Sequence, residues 1–352
     1  MSVTSAEPAT LNRGLLSPED VNAIAGSFEL GKVVQVEFLP AGLMNRNWRF
    51  TTDRGAFAVK RLTDGSGGDA RTNLAVMRVL ADQGLPVCSP VATQTTDLVF
   101  DVDAASYCTV PWVTGHQPRG LDLSIDESWG LGAVLAGLHA GLATVGGPLL
   151  PGTERRPTAR VADPDRAAAE ADRFAGLARR AGMPTVFDEA VVEFVEQRKI
   201  LLEKYAHLRP QSDVPTGPFG STHGDFQHLN VIWSGTDVGA VIDWDRIRVR
   251  MWGEEVARSA TLLFGHDEGW LDLERVSAFV AGYRSGVSIA DEDLFDAVDR
   301  LWWKRMCDYW HLEFHYDRDD HECNHLFLSA SRFLSWWTER RNEVRAAFVA
   351  AG

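Results

Sequence analysis

Two acids and an amide near the middle of the chain have the types and spacing needed for phosphoryl-transfer chemistry. Asp225 ends a His-Gly-Asp triplet, Asn230 follows five residues later, and Asp243 comes directly after the apolar pair Val241-Ile242. In phosphoryl-transfer loops a carboxylate takes the proton of the attacking hydroxyl, and an amide at this spacing holds Mg²⁺. A carboxylate at the end of a short buried strand can chelate a metal that bridges two phosphates. The pattern therefore predicts metal-assisted transfer of a phosphoryl group to a hydroxyl.

A turn between the amide and the second acid is predicted to bring these residues together. Residues 234–237, Ser-Gly-Thr-Asp, separate two apolar segments, which is typical of a hairpin. Such a hairpin would fold Asp243 back towards Asn230. The alternative is that Asp225 and Asp243 only cap turns and that Asn230 begins a strand, as many loop Asp and Asn residues do.

The elements that must position this stretch are predicted from periodicity and turn signals. Ser17 is placed as the N-cap of a helix that begins at Pro18 and extends to Ser27. Strands are predicted at residues 33–38, 57–62, 98–102 and 107–110, and helices at 70–83, 126–140, 164–182, 187–207, 252–263, 271–283 and 291–316. His139, at the end of one of these helices, is interpreted as a packed core histidine.

Taken together, the triplet, the amide and the second acid resemble the aminoglycoside phosphotransferase and choline kinase family, whose fold is that of protein kinases. The hallmark of the family is His-Gly-Asp, then Asn, then Ile-Asp, found here at residues 223–225, at Asn230 and at residues 242–243. The resemblance implies an α+β, bilobal protein-kinase-like fold. A small antiparallel β-sheet N-lobe with one or two helices would precede a larger, mainly helical C-lobe.

The same resemblance implies a domain organisation. Residues 1–30 are expected to form an N-terminal tail and helix, residues 31–113 the nucleotide-binding N-lobe with the hinge, and residues 114–352 the C-lobe with the catalytic loop and acceptor pocket.

A nucleotide site in the N-lobe is implied by further matches to the family. Gly42 and Asn45 lie in a turn that resembles the loop over the phosphates, and Lys60 in Phe-Ala-Val-Lys resembles the lysine that pairs with the α and β phosphates. The carbonyl of Pro111 and the N–H of Val113 would read the adenine edge at the hinge. The implied cofactors are ATP or GTP and Mg²⁺, with Asn230 and Asp243 as metal ligands.

One position departs from the family pattern. A glutamate that orients the lysine is expected on the helix at 70–83, but Asn73 stands at the corresponding place. Asp69, one turn earlier, is the possible substitute.

Composition limits the partners that this site can have. The chain has 352 residues, of which 45% are hydrophobic and 24% charged, as in a globular protein long enough for two cores. Its formal charge of −14 disfavours nucleic acid and fits either a cationic substrate or an ordinary acidic enzyme. The first residues lack a signal-peptide pattern and no apolar run approaches a membrane span, so we expect a cytoplasmic protein without a membrane partner. Four scattered cysteines predict reduced thiols.

The acceptor site is predicted in an aromatic and acidic stretch near residues 300–322. Its rings could stack on a ligand, and its carboxylates could attract amino groups. The candidate residues are Trp302, Trp310, His311, Asp317, Asp319 and Asp320.

Three functions are compatible with these residues. The first is an ATP- or GTP-dependent kinase for a small-molecule hydroxyl, most simply an antibiotic, in which Asp225 accepts the hydroxyl proton and His223 braces the loop. The second is a metabolic kinase for choline, a sugar or homoserine. The third is a catalytically silent, kinase-like binding module, which the intact Asp225, Asn230 and Asp243 disfavour and the missing helix glutamate favours.

Overall fold

The computed structural model describes residues 16–40, 46–62, 67–103, 105–145, 149–150, 152–180 and 182–350. Internal contacts divide the chain into two units. The first, called the sheet unit here, comprises Met1–His116, Thr144–Pro151 and Val231–Ile247. The second, called the helical unit, comprises Gln117–Ala143, Gly152–Asn230 and Arg248–Gly352. Residues 231–247, which the sequence-based boundaries assign to the C-lobe, thus belong to the sheet unit.

The strands and helices follow one another in this order. In the first third of the chain they are α1 (Pro18–Ser27), β1 (Val33–Leu39), β2 (Arg46–Thr52), β3 (Gly55–Leu62), α2 (Gly67–Asp82), β4 (Phe100–Val102) and β5 (Ala105–Pro111). The middle contains α3 (Ile125–Val145), α4 (Pro164–Arg179), α5 (Val186–Tyr205), β6 (Phe219–Thr222), β7 (Val231–Ser234), β8 (Asp237–Val241) and β9 (Arg248–Met251). The last third contains α6 (Trp252–Leu263), α7 (Leu273–Gly286), α8 (Asp291–Cys307), α9 (Trp310–Leu312), α10 (Asn324–Glu339) and α11 (Arg341–Ala347).

The sheet unit is built on an antiparallel sheet in the order β1-β2-β3-β5-β4. Alternation along β2 points Trp48 and Phe50 into the core, where they lie opposite Val59 and Phe57 of β3. Helix α1 covers this face with Ile24 and other apolar side chains. Its predicted start is confirmed, because the Ser17 hydroxyl accepts a hydrogen bond from the Asp20 amide at 3.0 Å.

The predicted hairpin is also present in the sheet unit. Strands β7 and β8 pair antiparallel, with Val231 opposite Val241 and Ser234 opposite Asp237. The Val241 amide donates to the Pro86 carbonyl at 2.7 Å, so the hairpin is held by the chain that follows α2. This hydrogen bond fixes the end of β8, and therefore the position from which the chain turns at Asp243.

Helix α3 provides part of the core of the helical unit. This helix is long and apolar enough to cross a membrane by length and composition alone, which the sequence inspection did not anticipate. However, Leu131, Leu135, Leu138 and Leu142 are all buried, so α3 serves as a core helix here. The small residues Gly132 of α3 and Gly282 of α7 let the two helices approach closely.

The predicted aromatic helix at 291–316 is interrupted. Helix α8 ends at Cys307, Asp308 has an extended backbone, and a π-helical turn, Glu313–Asp317, follows the short α9. Trp302 is fully buried and its Nε1 donates to the Thr338 hydroxyl at 3.0 Å. The prediction that Trp302 lines the acceptor site is therefore wrong, since this ring is a core side chain.

The contact between α3 and α7 predicts the effect of a small substitution. A Cβ at Gly282 would overlap the Trp129 carbonyl oxygen, whereas a Cβ at Gly130 of α3 would meet nothing within 4 Å. We expect Gly282→Ala to destabilise the protein by about 2–3 kcal/mol through overpacking. Gly130→Ala should instead be neutral or stabilise it by up to about 1 kcal/mol, because alanine favours a helix. Urea unfolding of both variants tests this, and equal midpoints would contradict the close contact.

Candidate active site

Asp225 lies in the loop that follows β6 in the helical unit. Its Oδ1 accepts a hydrogen bond from Arg258 Nη2 at 2.9 Å, and its Oδ2 accepts one from Gln227 Nε2 at 3.1 Å. The side chain keeps 10% of its surface exposed. Partners on both oxygens fix the orientation of the carboxylate, while the exposed part leaves an approach for a hydroxyl group.

The backbone of this loop is held by Glu255 of α6. Its two carboxylate oxygens accept hydrogen bonds from the His223 amide, at 3.1 Å, and from the Gly224 amide. Gly224 has a φ of 84°, a conformation that glycine adopts without steric cost. The Asp225 amide in turn donates to His223 Nδ1 at 3.2 Å, so His223 braces the loop, as the sequence predicts.

A buried polar network supports Glu255. His139 Nε2 lies 2.7 Å from Glu255 Oε2, and His139 Nδ1 lies 2.8 Å from the Tyr283 hydroxyl. Burial by itself raises the pKa of Glu255, but the hydrogen bond and charge of His139, with His223 and the Gly224 amide, hold that pKa below its usual range. His139 is fully buried, which confirms its interpretation as a core histidine.

Asn230 closes the same loop. Its Nδ2 donates to the Asp225 carbonyl at 2.8 Å and lies 3.4 Å from Asp225 Oδ2. These contacts use the amide nitrogen, so the amide oxygen is the atom suited to a hard cation.

The sequence inspection did not identify Arg258, which pairs with Asp225. A signal was available, because Glu255 and Arg258 are three residues apart on α6 and residues at this spacing share a helix face. That spacing could be read only once Glu255 was known to face the loop. The role of Arg258 therefore became apparent only from its tertiary contact with Asp225.

Lys60 and Asp243 meet in the sheet unit. Lys60 Nζ lies 3.2 Å from Asp243 Oδ1 and 2.5 Å from Asp245 Oδ2. Burial by itself lowers the pKa of Lys60, but the charges of Asp245 and Asp243 outweigh it, and the pKa is raised. Lys60 is therefore a charged ammonium at neutral pH, held in place by two carboxylates.

Asp245 is the carboxylate nearest to Lys60 among the described residues. On sequence grounds it could equally supply a second contact to the site or cap the following helix. Asn73 lies on α2, and the side chain of Asp69 lies outside the described residues. The oxygen at 2.5 Å gives Lys60 an orienting partner without a helix glutamate.

Asp243 has a backbone conformation that is uncommon for its residue type. Its φ of 64° and ψ of 65° lie in the left-handed region, where non-glycine residues cluster at functional sites. Its side chain is 42% exposed, so a carboxylate oxygen can reach a cation. The Asp243 carboxylate is a hard oxygen donor of the kind that Mg²⁺ prefers, and so, in the helical unit, is the amide oxygen of Asn230, so the chemistry of each donor fits the implied metal.

The hinge residues lie at the end of β5. The Trp112 amide donates to the Ala56 carbonyl at 2.9 Å, and antiparallel alternation then turns the Pro111 carbonyl away from β3. A nucleotide base could thus use that carbonyl without disturbing the sheet. Val113 follows in the adjoining loop, while Gly42 and Asn45 lie outside the described residues.

The acidic loop expected to attract a cation already has protein partners. Asp317 accepts two hydrogen bonds from Arg173, at 2.8 and 3.0 Å. Asp319 pairs with His321 at 3.1 Å, and Asp320 accepts the Glu322 amide at 3.0 Å. These contacts weaken the case for the loop as a cation-binding surface.

Trp310 and His311 form the aromatic part of the candidate acceptor region. Their rings stack with centroids 3.7 Å apart, and Trp310 is 37% exposed. Burial, with the charges of Arg198 and Arg305, lowers the pKa of His311 to about 4. His311 is therefore a neutral ring at physiological pH.

Comparisons with known proteins show what this chain is similar to. A family model described as the phosphotransferase enzyme family (APH) matches residues 35–294. A homoserine kinase of Methylobacillus flagellatus is 23% identical over 291 residues, covering 80% of this chain and 82% of that protein.

Two solved structures have a similar fold. Spectinomycin phosphotransferase APH(9)-Ia, in complex with ADP and spectinomycin, has a TM-score of 0.63 at 14% identity and covers 96% of this chain and 99% of its own. Amicoumacin kinase hAmiN, in complex with AMP-PNP, Ca²⁺ and Ami, has a TM-score of 0.61 at 16% identity and covers 94% of this chain and 96% of its own. The predicted protein-kinase-like fold class is confirmed.

The pairing of Lys60 with Asp245 can be tested by chemical reactivity. Asp245→Asn should lower the pKa of Lys60, because a negative charge at 2.5 Å is removed. We expect Lys60 to react roughly tenfold faster with an amine-specific acylating reagent at pH 8, measured by mass spectrometry. Asp237→Asn, on the β8 side of the hairpin turn, is the matched control. An unchanged rate in the Asp245 variant would contradict the pairing.

Proposed function

This chain belongs to the phosphotransferase enzyme family and is a small-molecule kinase, and from that premise we propose that it transfers the γ-phosphoryl group of ATP or GTP to a hydroxyl group. The observation that carries the proposal is the fixed carboxylate of Asp225, which Arg258 and Gln227 hold from opposite oxygens. A base held in this way is oriented before the acceptor arrives, which is the condition for efficient proton transfer.

In the proposed reaction Asp225 accepts the proton of the acceptor hydroxyl. The hydroxyl oxygen forms a bond to the γ-phosphorus as the bond from that phosphorus to the bridging oxygen breaks, and the nucleoside diphosphate leaves. Lys60 neutralises charge on the α and β phosphates. The contacts of Lys60 with Asp243 and Asp245 support this role, because they keep the ammonium charged and oriented.

Asn230 and Asp243 are the proposed ligands of Mg²⁺. Bound Mg²⁺ supplies positive charge to the phosphate oxygens. Pro111 and Val113 are proposed to bind the base through backbone groups, and Gly42 and Asn45 to cover the phosphates. These assignments follow the positions of the family motifs in this sequence.

For the acceptor we favour a metabolite over an antibiotic. The antibiotic hypothesis depended on the acidic balance, on a resemblance to resistance kinases, and on the 317–322 loop. The carboxylates of that loop have partners such as Arg173. The similarity to a homoserine kinase covers most of both chains and supports the metabolic alternative. The likeness to the two antibiotic kinases supports the fold alone. A silent binding module is disfavoured because Asp225 and Asp243 are both present and Lys60 is held as a charged ammonium.

The proposed base is tested by Asp225→Asn. The variant should bind nucleotide normally yet lose roughly two to four orders of magnitude in kcat, the range typical of a positioned general base. Turnover is measured as nucleoside diphosphate release in the presence of acceptor. Asp291→Asn, which removes a surface acid paired with Arg284 in the same unit, is the control and should keep its activity. Near-wild-type turnover in the Asp225 variant would reject the assignment.

The proposed metal ligand is tested by Asp243→Asn, because asparagine tolerates the left-handed backbone found there. ATP alone should still raise the melting temperature of the variant. The additional increase on adding Mg²⁺ should be largely lost, since a chelating carboxylate is gone. An Mg²⁺ increment equal to that of the parent protein would show that Asp243 is not the ligand.

A further inference from the structure

A group of guanidinium side chains lies next to Asp225 in the helical unit. Arg258 of α6 bonds to Asp225 Oδ1 at 2.9 Å. The Arg258 carbonyl accepts the Thr261 hydroxyl at 2.9 Å, and Arg305 Nη2 of α8 donates to that same hydroxyl at 3.2 Å. The Thr261 hydroxyl thus links the Arg305 head group to the backbone of Arg258, the residue whose side chain pairs with the base.

Among the described residues, the charge of Arg305 is compensated only in part, by the Phe333 ring, whose centroid lies 5.2 Å from the guanidinium carbon, and by Asp308. Burial, and then repulsion from Arg258, lower its pKa to about 10, and Asp308 offsets only part of this effect. Its Nε is buried and has no hydrogen-bond partner among the described residues. A buried donor without a partner, under the influence of a second guanidinium group, indicates a site that an anion completes.

The charges of neighbouring residues also favour an anionic ligand. Arg198 of α5 is buried, and its Nη1 donates to the Asp308 carbonyl at 2.8 Å. Burial, and then the charges of Arg198 and Arg305, lower the pKa of His311, so this ring is neutral and adds no charge. Among the described residues, the carboxylates that interact with these three arginines are Asp225 and Asp308, one fewer than the guanidinium groups.

The arginines are also accessible to a small ligand. Arg258 has 32% of its side-chain surface exposed, and Arg305 is only partly buried by surface area despite its strong desolvation. Among the described residues Arg258 makes one hydrogen bond to Asp225, through Nη2, and its remaining donors can serve a second oxyanion.

We infer that the acceptor is an anionic alcohol, a hydroxy compound whose carboxylate binds Arg305 and Arg258 while its hydroxyl faces Asp225. This inference rests on the proposed function and specifies its substrate class. The planar guanidinium group matches a carboxylate through paired hydrogen bonds. Of the metabolic acceptors considered above, a hydroxy amino acid has this group, whereas choline and a plain sugar lack it.

A nucleotide phosphate is the other anion that could meet these arginines. The two sources differ in what they predict for a variant. Loss of a phosphate contact would raise KM for ATP and lower turnover with every acceptor alike. Loss of a carboxylate contact would affect only those acceptors that carry a carboxylate.

The first arm of the test compares acceptors that differ by one carboxylate. The pairs are L-homoserine with 3-amino-1-propanol, L-serine with ethanolamine, and 4-hydroxybutyrate with 1-propanol, and choline and spectinomycin are the cationic comparators. We expect one carboxylate member to exceed its partner by at least about 100-fold in kcat/KM, because the partner leaves buried donors unpaired. Transfer mainly to choline, spectinomycin or another acceptor without a carboxylate overturns the inference and leaves the proposed function standing. No transfer to any compound overturns both.

The second arm uses Arg305→Gln with Arg300→Gln as the matched control. Arg300 lies on the same helix and pairs with Asp296, outside the cluster around Asp225. Arg305→Gln should lower kcat/KM for the best carboxylate acceptor by roughly 10- to 100-fold. The kcat/KM for the partner compound without a carboxylate, and the KM for ATP, should both change by less than about twofold.

Two further readouts separate recognition from structure. Arg305→Lys keeps the charge but loses the paired geometry, and should recover part of the preference for the carboxylate acceptor. It also keeps the test decisive if Arg305→Gln fails to fold. An equal loss with both acceptors, or a raised KM for ATP in either variant, would overturn the assignment to the acceptor carboxylate.

Discussion

The proposed catalytic loop depends on one buried carboxylate. Glu255 accepts the amides of His223 and Gly224, and these bonds determine the direction in which the next residue, Asp225, leaves the backbone. A carboxylate that is 3% exposed is costly unless its hydrogen bonds are satisfied. His139 provides the further partner at 2.7 Å, and the two amides complete the set. The network rigidifies the loop because every member has a partner.

Helix α6 couples the backbone of the loop to its chemistry. One turn after Glu255, Arg258 bonds to the carboxylate of Asp225. The same rigid helix therefore positions both the main chain of the loop and the charge of the proposed base. Thr261, a further turn along, contacts Arg305, so α6 also links the base to the guanidinium group of α8. Sites supported by regular elements hold their geometry better than sites supported by loops alone.

In the sheet unit, a related task is performed by the chain that follows β8. The resemblance to kinases implies a helix glutamate that orients the lysine, but Asp245 and Asp243 both contact Lys60. The two acids stand on either side of Trp244, whose Nε1 donates to the Val241 carbonyl at 2.9 Å and whose ring is buried. Packing of this ring anchors the turn, which also contacts α2, and the orienting carboxylates come from the turn itself.

The sequence by itself determined the part of the proposed site that is contiguous in the chain. The triplet at 223–225, Asn230 and Asp243 lie within one stretch, so their spacing could be read as chemistry, and their resemblance to the family implied the fold class. Strand and helix periodicity indicated the individual elements. Tertiary structure decided the rest. Arg258 and Arg305 come from separate helices, so no spacing reports their approach to each other or to Asp225, and a net charge of −14 averages away a local positive cluster. Burial likewise moved Trp302 into the core and paired Asp317 with Arg173, because a side chain's role depends on neighbours that are distant in the chain.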